Sequence, residues 1–240
     1  MKRLHLLLGL FGVAVLVALF KADLKAQTLS LTQKTQGRKA VQDRLDQYGM
    51  TARKRLAPYF ERKGIAYPPK QIVLVGLKQE GVLEGYAANS NGTFRLIRPY
   101  SILAASGRSG PKLREGDRQV PEGIYAIESL NPNSRFHLSL RINYPNEFDR
   151  KQAARDGRTK LGGDIMIHGD AVSIGCLAMG DEAAEDLFVL AADSGLRNIT
   201  VILSPLDFRQ GKTVSKSAEL PPWVDSLYEM IRARLSELKE

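Results

Sequence analysis

Reactive side chains are scarce in this 240-residue chain, which has one cysteine and three histidines. A single cysteine excludes an internal disulfide. The zinc motifs H-E-x-x-H and C-x-x-C do not occur, so a metal site would need two or three carboxylates beside the histidines. The G-x-S-x-G pattern of serine hydrolases and the G-x-x-x-x-G-K-[ST] pattern of phosphate-binding loops are also missing. We therefore predict a protein with no metal and no cofactor.

The charge of the chain is moderately basic, with a formal net charge of +9. Part of this charge comes from residues 1–26, which contain Lys2, Arg3, Lys21 and Lys25 against Asp23. No cluster of basic and aromatic residues accompanies the charge, so we predict no nucleic-acid partner. Membrane headgroups and anionic cell-wall polymers are other partners that a basic surface attracts.

Long apolar runs are confined to the N-terminus, where 15 apolar residues follow Lys2-Arg3 from Leu6 to Phe20. This run is shorter than the roughly 20 residues of a membrane-spanning helix and is typical of a signal peptide. We predict that residues 1–26 are a signal peptide or an N-terminal anchor and that the protein is exported to the periplasm. Contact with the membrane is expected only through this segment, if it is not cleaved.

The remaining chain divides into three predicted segments. Residues 27–69 form a linker and an amphipathic helix, which Gly49 should weaken and Pro58 should bend or end. We expect this helix to dock on the main domain. Residues 70–210 form the main domain, and residues 211–240 carry a C-terminal helix with an apolar stripe that begins at Trp223.

The main domain is predicted to be rich in strands. The stretch 134–144 alternates strictly, with Phe136 and Leu138 on the apolar face and Arg135 and His137 on the polar one. A helix is predicted over 181–194, with Asp181 as its N-cap and Gly195 as its stop. The predicted class is mainly β (α+β), a sheet domain with flanking helices.

The strongest candidate for chemistry is the pair formed by His168 and Cys176, eight residues apart. A nucleophilic thiol needs a nearby base, and glycines allow backbone N–H groups to approach a developing oxyanion. Spacing alone leaves two interpretations open, a catalytic pair or a buried histidine beside an inert thiol. His137 is an alternative base, although its place on the polar face also fits a surface residue.

Three sequence blocks, in order along the chain, decide between these interpretations. They resemble blocks of the L,D-transpeptidase catalytic domain (YkuD-type), and they are most similar to those of its YafK-like branch. The blocks are SGRSGPKLREGDRQVPEGIYAI at 106–127, SRFHLSLRINYPNEFDR at 134–150 and IMIHGDAVSIGCLAM at 165–179.

This resemblance implies a compact β-sandwich that acts on the peptide stems of peptidoglycan. It implies that Cys176 is the nucleophile and His168 its base, with the Gly169 carbonyl orienting the imidazole. Gly175 and Cys176 would supply the oxyanion-hole amides, and Ser173 would shape the loop. The thioester formed at diaminopimelate would then pass to an amine acceptor or to water.

Substrate contacts are less clearly marked. Within the matching blocks, Tyr144, Arg135 and Arg150 are the candidates for substrate binding. Many cross-linking members of the family carry arginine two residues after the cysteine, where this chain has Ala178. The loss of that donor keeps a second reaction open, hydrolysis of a stem or release of a peptidoglycan-linked lipoprotein.

Two further hypotheses do not involve acyl transfer. The domain could bind the cell wall without catalysis, or Cys176 could act as a redox sensor. The second hypothesis lacks a resolving cysteine, since the chain has no other thiol.

Overall fold

The computed structural model describes residues 38–214 and 220–238, and from Val41 onward the chain forms one compact unit. The predicted signal peptide or anchor at 1–26 lies outside the described residues. Within the described ranges, no helix combines the length and apolarity needed to cross a membrane.

Four helices and nine strands form the described part of the fold. The helices are α1 (Val41–Arg62), α2 (Glu147–Arg155), α3 (Asp181–Ser194) and α4 (Val224–Ser236). The strands are β1 (Ile72–Leu77), β2 (Val82–Ala88), β3 (Phe94–Ser101), β4 (Ala104–Ala105), β5 (Gly123–Ser134), β6 (His137–Ile142), β7 (Met166–His168), β8 (Leu177–Ala178) and β9 (Ile199–Ser204). They form one mixed sheet in the order β3-β2-β1-β9-β5-β6-β7-β8-β4.

Strand β5 joins the two halves of this sheet. Its residues 123–126 pair antiparallel with β9, and its residues from Ile127 onward pair antiparallel with β6. Strand β1 lies between β2 and the parallel strand β9, and all six of its residues are buried. This burial explains its continuous apolar sequence.

The two halves of the sheet pack face to face. A Cβ atom on Gly76 of β1 would lie 2.7 Å from a methyl group of Leu203 and 3.7 Å from one of Leu177 on β8. Strands of both halves therefore share one core, and helices α1 and α3 contribute to the same cluster. The opposite face of β1 and β9 is covered by α4. The predicted mainly β (α+β) fold with flanking helices is confirmed.

Helix α1 differs from its prediction, because it continues without a break past both Gly49 and Pro58. Gly49 is buried, and a Cβ there would lie 2.7 Å from a guanidinium nitrogen of Arg53. Arg53 forms a bidentate ion pair with Asp193 of α3. Packing of the buried face against the domain outweighs the local cost of the proline.

Two other local predictions were wrong. The N-cap of α3 is Gly180 rather than Asp181, whose Oδ1 instead accepts a hydrogen bond from the Asp170 N–H at 2.8 Å. Arg135 and Phe136 do not belong to a strand. They form the hairpin turn between β5 and β6, where Ser134 pairs with His137.

Candidate active site

Strands β7 and β8 bring His168 and Cys176 to the same face of the sheet. The two strands run parallel, with His168 opposite Ala178. Cys176 precedes Ala178 by two residues, so the alternation of side chains places it on the face of His168. Met166, two residues before His168, donates its N–H to the Cys176 Sγ at 3.4 Å. His168, at the end of β7, and Cys176, just before β8, are therefore offset by two residues along neighbouring strands.

The His168 imidazole is buried and held in one tautomer. Its Nδ1 lies 2.6 Å from the Gly169 carbonyl oxygen. Because a carbonyl only accepts, Nδ1 carries the proton and the neutral ring keeps Nε2 as a base. The Phe136 ring stacks on the imidazole, with centroids 4.8 Å apart. Burial lowers the pKa of His168, although the Gly169 carbonyl and Asp170 act in the other direction.

The Cys176 thiol is partly buried between backbone groups. It accepts the Met166 N–H, and its Sγ lies 3.7 Å from the Asp164 carbonyl oxygen, to which a thiol proton can be donated. Burial raises the pKa of Cys176 and the charge of Asp164 adds to the effect, whereas the Met166 N–H and Lys112 oppose it. Both shifts favour the neutral forms, a thiol and an uncharged imidazole, over a resting ion pair.

This electrostatic state predicts slow alkylation of Cys176 at neutral pH. Iodoacetamide reacts with the thiolate, and a raised pKa lowers the thiolate fraction at every pH below it. We expect the alkylation rate, followed by mass spectrometry, to titrate with a midpoint above the ordinary value of 9.0. The urea-unfolded chain is the control, and its midpoint should return to the ordinary value. A folded midpoint below the unfolded one would indicate a preformed thiolate–imidazolium pair instead.

The glycine residues of the site occupy positions that a side chain would disturb. A Cβ on Gly169 would lie 2.6 Å from the Asp181 carboxylate and 2.9 Å from the Phe136 carbonyl oxygen. Gly175 has a φ of +98°, in the region that favours glycine. Gly169 therefore allows the loop 169–175 to lie close to the hairpin turn, and Gly175 provides the backbone conformation that the loop needs before β8.

The two backbone amides predicted for the oxyanion hole already have hydroxyl partners. The Cys176 N–H donates to the Ser173 Oγ at 3.0 Å, and that hydroxyl donates to the Cys176 carbonyl oxygen at 2.6 Å. The Gly175 N–H donates to the Ser106 Oγ at 2.6 Å. Ser173 thus stabilises the loop through two hydrogen bonds to the backbone of Cys176. A substrate oxyanion would have to replace these hydroxyls or share the donors with them.

The candidate substrate residues lie in three different settings. Tyr144 is buried, with 3% of its surface exposed. Its hydroxyl is 3.3 Å from the carbonyl oxygens of both Lys112 and Leu161, so it joins two loops rather than facing solvent. Arg135 is exposed in the hairpin turn beside Phe136, and Arg150 is exposed on α2. Of these three candidates, only Arg135 adjoins Phe136, whose ring stacks on His168.

The alternative base, His137, is engaged elsewhere. Its Nε2 lies 3.1 Å from the Glu185 Oε1 of α3, and its ring meets Tyr48 of α1 edge to face. These contacts anchor the hairpin turn that carries Phe136. His137 therefore holds the turn in place and does not adjoin the thiol in this structure.

Three neighbours of the site were not found from the sequence. The alternating pattern places Phe136 on a strand face rather than in a turn. Ser106 lies 69 residues before Gly175, whose N–H it accepts. Ser139 pairs with His168 across β6 and β7, and its buried Oγ has no hydrogen-bond partner among the described residues. In the sequence, Ser106 stands out only as part of the matching block at 106–127. Its hydrogen bond to the Gly175 N–H forms only when the two loops come together in the fold.

Comparisons with known proteins show which chains are similar to this one. The chain matches 113 residues of YafK from Escherichia coli (strain K12), a protein provisionally named as an L,D-transpeptidase, at 37% identity. That match covers 46% of this chain and 43% of YafK, so it spans less than half the length of the relative.

Two solved structures are also similar. The helical cell shape determining protein Pgp2 from Campylobacter jejuni has a TM-score of 0.48 and 18% identity, over 71% of this chain and 56% of that one. L,D-transpeptidase 1 from Mycobacterium tuberculosis has a TM-score of 0.33 and 14% identity, over 56% of this chain and 62% of that one.

The family profile of the L,D-transpeptidase catalytic domain matches residues 70–202, which is more than half of the chain and contains His168 and Cys176. This match confirms the resemblance of the three sequence blocks. The chain belongs to the L,D-transpeptidase (YkuD) catalytic domain family.

Proposed function

We propose that this protein is an exported cysteine acyl-transfer enzyme of peptidoglycan that attacks peptide stems through a Cys176 thioester. The observation that carries the proposal is the placement of Cys176 and His168 on one face, with the His168 Nδ1–H held by the Gly169 carbonyl at 2.6 Å. That bond leaves Nε2 as the base. The apolar N-terminal run supports export to the periplasm.

The first half of the reaction forms the thioester. As Sγ attacks the stem carbonyl, the thiol proton passes to Nε2 of His168, because neither group is charged at rest. The imidazolium is stabilised by the Gly169 carbonyl. The carbonyl carbon–nitrogen bond then breaks, and the amine leaves with the proton from Nε2. Amides at Gly175 and Cys176 stabilise the oxyanion once the hydroxyls of Ser106 and Ser173 give up those donors.

The second half of the reaction decides between transfer and hydrolysis. An amine acceptor gives a new peptide bond and a cross-link, whereas water gives a free carboxylate. Each nucleophile loses a proton to Nε2, and that proton returns to Sγ as the thioester breaks. Ala178 favours the hydrolytic alternative, including release of a peptidoglycan-linked lipoprotein, since it offers no guanidinium to hold the carboxylate of an acceptor stem.

Purified sacculi test this proposal and separate its two outcomes. We expect mass spectrometry of digested sacculi to show new cross-links, trimmed stems or released lipoprotein peptides after incubation with the wild-type protein. Cys176→Ala should give none of them. A carbapenem should add its mass to the wild type and not to the variant. Unchanged sacculi together with a thiol that resists the carbapenem would favour a non-catalytic cell-wall-binding domain.

A further inference from the structure

The structure contains a cavity of about 950 Å³ whose described lining does not include His168 or Cys176. One wall is the segment 106–119, which we call the arginine loop. The cavity is bounded on other sides by residues that include Leu206 and Leu220. Its lining includes Arg114, Arg118 and Arg158, and Asp117 is the one acidic residue among the described residues that line it. The cavity is therefore basic.

The single carboxylate does not neutralise these arginines. Asp117 is 2.5 Å from the Nζ of Lys112, and it also accepts the backbone N–H groups of Leu113 and Arg114. Although burial acts to raise it, these hydrogen bonds hold the pKa of Asp117 below its ordinary value. The negative charge is therefore already engaged within the loop.

Two guanidinium groups are left without a carboxylate. Arg158 pairs with Asp156 at 2.8 Å. Arg114 and Arg118 are exposed, and neither forms an ion pair with any residue in the described part of the chain. Guanidinium groups bind carboxylates in a bidentate manner, so two unpaired ones on one wall can recognise an acidic ligand.

The arginine loop is in direct contact with the nucleophile loop. A Cβ on Gly175 would lie 3.5 Å from the Gln119 carbonyl oxygen and 3.9 Å from the carbonyl carbon of Arg118, which is ordinary van der Waals contact. Ser106 bridges the two loops, since its Oγ accepts the Gly175 N–H at 2.6 Å and donates to the Arg118 carbonyl oxygen at 2.7 Å. The backbone of Arg118 is thus linked through one hydroxyl to the residue that precedes Cys176.

We propose that Arg114 and Arg118 bind the carboxylates of a peptide that reacts at Cys176. The substrate class rests on the proposed function, whereas the anionic character of the ligand rests on the cavity. The bound peptide lies along the arginine loop and enters the site from the side of Gly175. The arginine loop therefore sets specificity for acidic stems.

The test compares a charge-removal variant with a matched control on two peptides. Arg114→Gln/Arg118→Gln removes both unpaired guanidinium groups, and Lys54→Gln/Arg197→Gln removes the same charge from exposed positions elsewhere. The peptides are a stem tetrapeptide and its analogue with amidated carboxylates. We expect the first variant to raise KM for the acidic peptide by roughly 10- to 100-fold, with kcat changed less than about threefold. KM for the amidated peptide should not change, and the control should match the wild type.

A binding measurement keeps this test separate from catalysis. Cys176→Ala should bind the acidic tetrapeptide in calorimetry, and Cys176→Ala with both arginine substitutions should bind it at least tenfold more weakly. This difference supports the site even if no thioester ever forms. Equal binding by both proteins, or equal losses for the acidic and amidated peptides, would overturn it. Binding to phosphatidylglycerol vesicles without binding to the peptide would assign the cavity to anionic lipid and also overturn it.

Discussion

Replacing His168 with glutamine should slow thioester formation by about 10²–10⁴-fold. The expected loss is large because the thiol is neutral at rest and its proton must move as the carbon–sulfur bond forms. Glutamine keeps a polar side chain of similar reach but has no basic nitrogen. The rate of thioester formation is measured by quenching the reaction at set times and determining the acylated fraction of the chain by mass spectrometry, with the stem tetrapeptide as substrate.

The pH dependence gives this prediction a second readout. Burial lowers the pKa of His168 below its ordinary 6.5, so the wild-type kcat/KM should rise with pH through a midpoint below that value and then level off. Below the midpoint the imidazole is protonated and cannot accept the thiol proton. His168→Gln should lose this limb, while iodoacetamide alkylation of Cys176 should change little because the base does not generate the resting thiolate.

His137→Gln is the matched control, since His137 is the other histidine among the described residues. His137 pairs with Glu185 and holds the hairpin turn, and it takes no proton in the proposed reaction. Its replacement should therefore reduce the rate of thioester formation far less than the replacement of His168. A loss at His137 equal to the loss at His168, with the low-pH limb kept in His168→Gln, would contradict the assignment of the base.

The second large effect is on stability. We expect Glu122→Ala to lower the free energy of unfolding by about 3–5 kcal/mol. Its carboxylate is 1% exposed and accepts from Lys78 Nζ, the Gly110 N–H and the Tyr228 hydroxyl, each at 2.8 Å. Removing it leaves three buried donors short of a partner.

Lys78 makes this loss more severe. Its Nζ also donates to the carbonyl oxygens of Arg108 and Val120, so the ammonium ties the arginine loop to β1. Burial lowers the pKa of Lys78, and the charge of Glu122 opposes that shift. Without Glu122 the ammonium is an unpaired buried charge, which either loses its proton or draws in water.

Urea unfolding followed by circular dichroism measures the effect. Glu122→Gln keeps an acceptor oxygen and should lose less than Glu122→Ala. The surface control is Glu229→Ala, which removes a pair with Arg232 on α4 and should change stability by less than about 0.5 kcal/mol. A loss below about 1 kcal/mol for Glu122→Ala would show that the cluster rearranges to satisfy its donors.

The sequence predicted the parts of this protein that repeat a local pattern. The alternation around Leu138 and Leu140 identifies the core face of β6, and both side chains are fully buried. The short loop between His168 and Cys176 predicts that the two residues can lie close together, and the strands that they adjoin, β7 and β8, do pair side by side. The match to family blocks then implies the roles of these two residues as nucleophile and base.

The parts that failed depend on contacts between distant segments. Phe136 lies in a turn because Ser134 pairs with His137, and its ring then reaches His168, 32 positions further along the chain. Pro58 does not end α1 because the buried face of the helix packs against the domain. No local pattern carries this information, since each outcome is decided by what the rest of the chain presents.

Strand β5 has a consequence for how the molecule loses its order. One end of its 12 residues is paired in the half of the sheet that holds β1 and β9, and the other end in the half that holds β6, β7 and β8. The two halves also share a core, so opening one half exposes apolar surface of the other. We therefore expect β7 and β8 to unfold cooperatively with the core, and their slowest amide protons to exchange through global unfolding.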